Sequence, residues 1–107
     1  MAIKTVWVLA ADASRSRVLQ VASREKLAEV ARFDHSAGRL GEYLETARTD
    51  HRYGQLVVIA PQQLLGALRK EYGKEVGKLV SQEVSKDLSG LSEHELEGYF
   101  SRDGRSL

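Results

Sequence analysis

The chain lacks cysteine altogether and, in 107 residues, contains only one proline and one tryptophan. Without cysteine it cannot form a disulfide, a thiolate zinc site or a cysteine nucleophile. A charge excess is also missing, because 16 Lys and Arg face 15 Asp and Glu, so composition does not indicate a nucleic-acid binder. No stretch reaches the roughly 18 apolar residues of a membrane span, and the N-terminal apolar run alternates like a strand rather than a signal peptide. These absences predict a small soluble domain with no membrane span and a cytoplasmic location.

Three strands are predicted at the start of the chain. Residues 3–10, 17–22 and 27–33 are rich in apolar and β-branched side chains and are separated by short polar turns. Turns this short join antiparallel neighbours, because a parallel pair needs a crossover of a dozen or more residues. We therefore expect an antiparallel meander.

The hydrophobic pattern then changes from a strand period to a helical period. Apolar side chains at three- and four-residue spacing predict an amphipathic helix over residues 38–51, with a stripe formed by Leu40, Leu44, Ala47 and His51. The aliphatic run 55–60 follows. A nearly continuous apolar run is typical of a strand covered on both faces, so this segment is predicted to lie in the centre of the sheet.

A second helix is predicted after this central strand. Pro61 is expected as its first residue, because the missing N–H of proline would be unpaired there in any case. Gly66 is expected to be small for close packing, and the helix is expected to end near Gly73.

The C-terminal part is predicted to hold a last strand over residues 79–86 and a last helix. Ser92 and Glu95 match a capping box, which predicts a helix that begins at Glu93. We expect one α/β domain over residues 1–100 and a polar tail over residues 101–107.

The predicted element order indicates a single open mixed sheet of about five strands. If the fourth strand pairs parallel to the first, the strand order becomes 3-2-1-4-5, which is the ribonuclease-H-like arrangement. Ligand sites in open α/β sheets lie at the carboxyl ends of the strands. The candidate ligand or phosphate contacts near this edge are therefore Asp12, Ser14, Arg15, Arg17, Gln62, Gln63, Lys86 and Asp87.

Two functional alternatives follow from single features of this sheet. Asp12 is placed where a metal-dependent nuclease or phosphoesterase would hold a carboxylate, although the fourth strand ends in Ala60 and Pro61 and supplies no second acid. The third strand would be the edge of the sheet, where unpaired backbone groups can bond to a strand of another chain. A self-associating homodimer is therefore the other alternative. No GxSxG, HExxH or Gly-rich phosphate motif is present, so we predict no catalytic, metal-binding or cofactor-binding residue.

Four segments together resemble a known bacterial family. They are WVLAADASRSRVLQV at 7–21, FDH from Phe33, LVVIAPQQLLGALR at 56–69 and VSKDLSGLSEHEL at 84–96. In this order they resemble the host attachment proteins, also described as proteins required for attachment to host cells. That family is itself similar to archaeo-eukaryotic release factor domains.

The resemblance implies a fold like the middle domain of eukaryotic-type release factors and a role in translation. Release factors hydrolyse peptidyl-tRNA with a Gly-Gly-Gln loop, and this chain has no such motif. The leading hypothesis is therefore a non-catalytic binding domain associated with the ribosome or with RNA. The Asp12 enzyme and the self-associating attachment protein remain the alternatives.

Overall fold

The structure is a computed structural model that describes residues 5–12, 15–21, 26–34, 39–86, 95 and 97. These ranges contain five strands and two long helices, and no helix among them is both long and apolar enough to cross a membrane. In chain order the elements are β1 (Val6–Ala11), β2 (Arg15–Val21), β3 (Leu27–Asp34), α1 (Arg39–Thr49), β4 (Gln55–Ala60), α2 (Gln62–Gly77) and β5 (Val80–Ser85).

The five strands form one sheet in the order β3-β2-β1-β4-β5, which confirms the predicted fold class and strand order. β1 pairs antiparallel with β2 and parallel with β4, and β5 continues the parallel half. All six residues of β1 are buried, as are residues 56–60 of β4. The prediction of a central strand covered on both faces is therefore confirmed for β4, and it holds for β1 as well.

Side chains from alternate positions of the strands form two separate apolar clusters, one on each face of the sheet. The first includes Trp7, Leu9, Leu56 and Val58 together with the apolar stripes of α1 and α2. The second includes Val8, Leu19, Val57 and Ile59. Both described helices therefore pack on the same face of the sheet.

The helix boundaries differ from the predicted ones at three positions. Pro61 has φ −56° and ψ 146°, so it precedes α2, which begins at Gln62. α2 continues beyond Gly73 to Gly77, but Gly73 interrupts it with φ 82° and ψ −179°, a conformation essentially restricted to glycine. His51 lies after the end of α1 and is exposed, so the apolar stripe of this helix ends at Ala47.

The strand boundaries shift by smaller amounts, and part of the C-terminal prediction is outside the described residues. β2 begins at Arg15, two positions before the predicted start, and β5 occupies residues 80–85. The predicted cap at Ser92, the helix start at Glu93 and the tail 101–107 lie outside the described residues. Glu95 and Glu97 are described and helical, and the Glu97 carboxylate accepts a hydrogen bond from the backbone N–H of Leu27 at 2.6 Å.

A β-bulge in β3 explains why this strand shows no clean alternation in sequence. Ala31 is opposite Val18 and Glu29 is opposite Leu19, so Val30 is an extra residue on the bulged strand. Val30 shifts the register of β3 by one position. Residues on either side of it that are an odd number apart in sequence therefore point to the same face of the sheet. Glu29 and Arg32, three apart in sequence, therefore lie on the same face of the sheet.

The backbones of the two helices approach each other closely at Gly41, not at Gly66. A Cβ atom at Gly41 would lie 2.1 Å from the carbonyl oxygen of Glu71 in α2. A Cβ at Gly66 would meet nothing within 4 Å, and this position is exposed. The expectation that Gly66 permits close packing is therefore wrong, because Gly66 lies on the outer side of α2.

We expect opposite effects when these two glycines are replaced by alanine. Gly41→Ala forces the backbones of α1 and α2 apart and should lower the free energy of unfolding by about 2–3 kcal/mol. Gly66→Ala fills open space and restricts the unfolded chain, so it should raise the free energy of unfolding by about 0.5–1 kcal/mol. Urea unfolding followed by circular dichroism measures both, and equal destabilisation by the two variants would contradict this account of the helix contact.

Candidate functional site

The topology brings the ends of three predicted site segments to one edge of the sheet. β1, β4 and β5 are parallel, so Asp12, Gln62 and Lys86 follow neighbouring strands at their carboxyl ends. Gln62 and Gln63 are exposed in the first turn of α2, and Lys86 is exposed after β5. Ser14 and Asp87, also predicted as contacts, lie outside the described residues.

Asp12 is engaged in the turn between β1 and β2. Its side-chain Oδ1 accepts a hydrogen bond from the backbone N–H of Arg15 at 2.8 Å, and the Asp12 N–H donates to the Arg15 carbonyl at 2.9 Å. Asp residues favour such turns because the carboxylate can bond the backbone a few residues ahead. Among the described residues, no group of three or more His, Asp or Glu side chains is arranged to hold a metal ion.

Arg17 is a buried member of a charged cluster on β2 and β3. Its side chain is 4% exposed, and its Nε lies 2.9 Å from Glu29 Oε1, which also accepts from Arg32 Nη2 at 2.9 Å. The hydrogen bonds from Arg32 and Arg17 hold the pKa of Glu29 below its ordinary value of 4.5, although burial opposes the shift. Glu29 thus compensates a buried cation, and the guanidinium of Arg17 offers little surface to a phosphate.

Removal of the Glu29 charge should destabilise the protein in a pH-dependent way. Glu29→Gln leaves buried Arg17 without this carboxylate, so the free energy of unfolding should fall by about 1–3 kcal/mol near neutral pH. The lowered pKa means that the carboxylate stabilises the fold above pH 4.5 and loses this effect as pH falls through the folded-state pKa. The difference between wild type and variant should therefore shrink below pH 4.5.

Urea unfolding at several pH values measures this difference. Glu45→Gln is the matched control, because Glu45 pairs with Arg48 on the exposed side of α1, and its effect should be much smaller at every pH. A Glu29→Gln deficit that stays constant down to pH 3 would contradict the role assigned to this carboxylate.

Three aromatic rings are stacked, and a fourth contacts this stack at a tilted angle. The ring of Trp7 is fully buried and stacks with Tyr53 and with Tyr43, at 4.7 Å and 5.8 Å between ring centroids. Tyr43 in turn contacts Phe33 at 5.2 Å. The Trp7 indole N–H donates to Gln20 Oε1 at 3.1 Å, and the Tyr53 hydroxyl donates to the Leu44 carbonyl at 2.9 Å. Burial raises the pKa of Tyr53 to about 12, so this hydroxyl keeps its proton.

The end of α1 positions an arginine over this stack. The N–H of Arg52 donates to the Ala47 carbonyl and that of His51 to the Arg48 carbonyl, which is the Schellman pattern, with His51 at φ 59°. The guanidinium carbon of Arg52 then lies 5.3 Å from the Trp7 ring centroid and 5.8 Å from that of Tyr43. Both distances are within the range of cation–π attraction.

Glycine at position 51 should stabilise the protein. A left-handed backbone is unfavourable for histidine and costs glycine nothing, so His51→Gly should raise the free energy of unfolding by about 0.5–1 kcal/mol. His51→Val should lower it, because a β-branched residue tolerates positive φ poorly. Thermal unfolding compares the variants, and near-UV circular dichroism of Trp7 should stay unchanged in His51→Gly. A lower melting temperature for His51→Gly would contradict the assigned cap.

The outer end of the aromatic stack opens into a surface groove of about 590 Å³, which we call the aromatic groove. Phe33 and Tyr43 are half-buried in it, and Arg39 and Glu42 stand at its rim. Neither Arg39 nor Arg52 forms an ion pair with a described residue. Half-exposed aromatic rings beside unpaired guanidinium groups can stack on a planar ligand and attract an anion.

The chain matches a family model described as "Protein required for attachment to host cells" over residues 36–100. This match covers more than half of the 107 residues. The chain belongs to this family. None of the curated proteins is similar enough to match it.

The family match covers α1, β4, α2 and β5, and it therefore includes Tyr43, the groove-lining Arg39, and Arg52 beside the rings. It also includes the segments 56–69 and 84–96 on which the resemblance to host attachment proteins depended. β1, β2 and β3 lie before the match, so Trp7 and Phe33 are contributed by the part of the chain that the family model does not cover.

The aromatic groove was not predictable from local sequence patterns. Tyr43 and Phe33 were not predicted as ligand contacts. Arg52 directly follows the helix predicted over residues 38–51, so no pattern singled it out. A usable signal exists, since these four aromatic residues are more than half of the seven Trp, Tyr and Phe residues in the chain. Their convergence depends on α1 crossing the sheet near β1 and β3, which no local pattern reveals.

The two edges of the sheet are different. At β3 the Leu27 N–H is engaged by Glu97, while no described residue pairs with the outer side of β5. A homodimer through the edge of β3 stays a prediction.

Proposed function

We propose that this member of the attachment family is a non-catalytic binding domain, and that single-stranded RNA, as exposed on the ribosome, binds in the aromatic groove. The observation that carries the proposal is the half-exposed pair of rings, Tyr43 and Phe33, beside two arginines that have no carboxylate partner among the described residues. The proposal includes the release-factor-like relationship implied by the sequence and a cytoplasmic location.

The aromatic stack supports base binding because its inner end is rigid. Tyr43 stacks with Trp7 at an interplanar angle of 13°, and Trp7 also stacks with Tyr53 at 15°. A base that stacks on a preorganised ring loses less conformational entropy than one that must order a mobile side chain. Stacking of this kind tolerates any base, which suits a binder without sequence preference.

The charges beside the rings support an anionic ligand. Arg39 is exposed and lines the groove with Glu42. Arg52 is also exposed, and its guanidinium carbon lies 5.8 Å from the centroid of the Tyr43 ring. Phosphate groups that flank a stacked base would meet these guanidinium groups. The neutral overall composition of the chain therefore does not argue against RNA, because the relevant charge is local.

Binding is favoured over catalysis by the position of Asp12. The metal-dependent alternative relied on this carboxylate, which instead accepts a backbone hydrogen bond within the β1–β2 turn. Arg17, a second charged residue near this edge, is buried against Glu29. Asp12 and Arg17 thus have structural roles at this edge.

The test is fluorescence anisotropy with a labelled single-stranded RNA of about ten uridines. Tyr43→Ala should weaken binding by about tenfold, since removal of an aromatic platform costs about 1–3 kcal/mol per stacked base. Tyr43→Phe keeps the ring and should bind like wild type. Arg52→Gln should weaken binding and lower the dependence of affinity on salt.

Cosedimentation with ribosomes at low and moderate salt is the companion measurement. Wild type should appear in the ribosomal fractions, and Tyr43→Ala should be depleted from them. Absence of wild type from these fractions at both salt concentrations, together with no RNA binding, would overturn the proposal. Cleavage of the RNA that depends on Mg²⁺ or Mn²⁺ and disappears in Asp12→Ala would show the enzyme alternative to be right.

A further inference from the structure

A second groove lies on the opposite edge of the molecule, beside β5. It has a volume of about 650 Å³ and is formed by residues 69–77 of α2 and residues 80–83 of β5. β5 pairs with β4 on one side, and no described residue pairs with the other side of β5. A strand edge carries N–H and C=O groups that can pair with an added extended chain. We call this region the β5 groove.

The β5 groove carries an excess of positive charge. Arg69 donates from Nε to Glu83 Oε2 at 2.9 Å, and this contact holds the pKa of Glu83 below its usual range. Lys70 and Lys74 are exposed and form no ion pair with a described residue, whereas Lys78 outside the groove pairs with Glu75. The carboxylate of Glu83 is thus already engaged, and two ammonium groups line the groove with no ion-pair partner in the part of the chain that the structure describes.

The wall of the groove is shaped by two irregularities. Gly73 interrupts α2 with a positive φ, so the helix changes direction beside β5. In β5, Ser81 is an extra residue opposite the junction of Leu56 and Val57, and its Oγ accepts a hydrogen bond from Gln55 Nε2 at 2.8 Å. The regular part of the edge is therefore residues 82–85, which is long enough for one short added strand.

The charge of the groove selects among possible occupants. A second copy of β5 would bring a second pair of Lys70 and Lys74 side chains toward the first pair, and like charges repel. An extended segment with acidic side chains on alternate positions would instead place every carboxylate on one side, toward the lysines. Charge complementarity thus favours an acidic peptide over self-pairing.

We propose that the β5 groove binds an acidic segment of a partner protein, which adds to the sheet as an extended strand along residues 82–85 with its carboxylates toward Lys70 and Lys74. This surface is separate from the aromatic groove and does not depend on RNA binding. It gives the domain a protein-binding edge in addition to the proposed function.

The test uses the full chain and a labelled soluble peptide of alternating Thr and Glu, about eight residues long. Fluorescence anisotropy should show binding that weakens with salt, and the matched peptide of alternating Thr and Gln should bind at least about fivefold more weakly. Lys70→Gln combined with Lys74→Gln should reduce affinity for the Glu peptide about fivefold, as expected for two exposed ion pairs. Lys78→Gln is the matched control and should bind like wild type.

Amide hydrogen exchange locates the peptide and tests the strand geometry. Strand addition should slow exchange at alternate amides within residues 82–85, because alternate N–H groups face the outer edge. Equal binding of the Glu and Gln peptides, or slowed exchange confined to other elements, would overturn the proposal. Dimerisation through β5 without peptide, detected by light scattering and abolished when the peptide is added, would show that a second copy is the occupant and would also overturn it.

Discussion

The packing of Trp7 is the interaction on which the rest of the structure depends. This fully buried ring lies in a central strand and contacts the helix layer through Tyr43 and the connection to β4 through Tyr53. Its N–H is satisfied by Gln20 on the neighbouring strand. One side chain therefore fixes the distance between the sheet and α1, the course of the chain into β4 and the rigidity of the groove above it.

The architecture was predictable from the sequence because its signals are local. Short polar turns indicated the meander, the change of period located α1, and the aliphatic run at residues 55–60 indicated a central strand. The features that escaped prediction depend on partners far away in sequence. Gly41, not Gly66, permits the helix contact because only the crossing of α1 and α2 decides which glycine meets a backbone.

The strand order behind the predicted site is confirmed, and ligand contact at these residues stays a prediction. Parallel pairing brings Asp12, Gln62 and Lys86 to one edge as the strand order implied. The sequence could not show that Asp12 would be engaged in a turn, nor that a bulge at Val30 would put Glu29 beside Arg17. A one-residue slip in register changes the face of every following side chain, and such slips leave little trace in composition.

The parallel pairing of β1 with β4 has a consequence for how the chain folds. Val6 is opposite Gln55, so almost half of the chain must be available before this pair can form. The β1–β2 and β2–β3 turns close locally, and the N-terminal meander can therefore assemble early. In this meander, β1 has an unpaired edge until β4 docks. The docking of β4 closes a long loop, so it is the slow and entropically costly step of folding. Until it is complete, the unpaired edge of β1 can pair with a wrong strand.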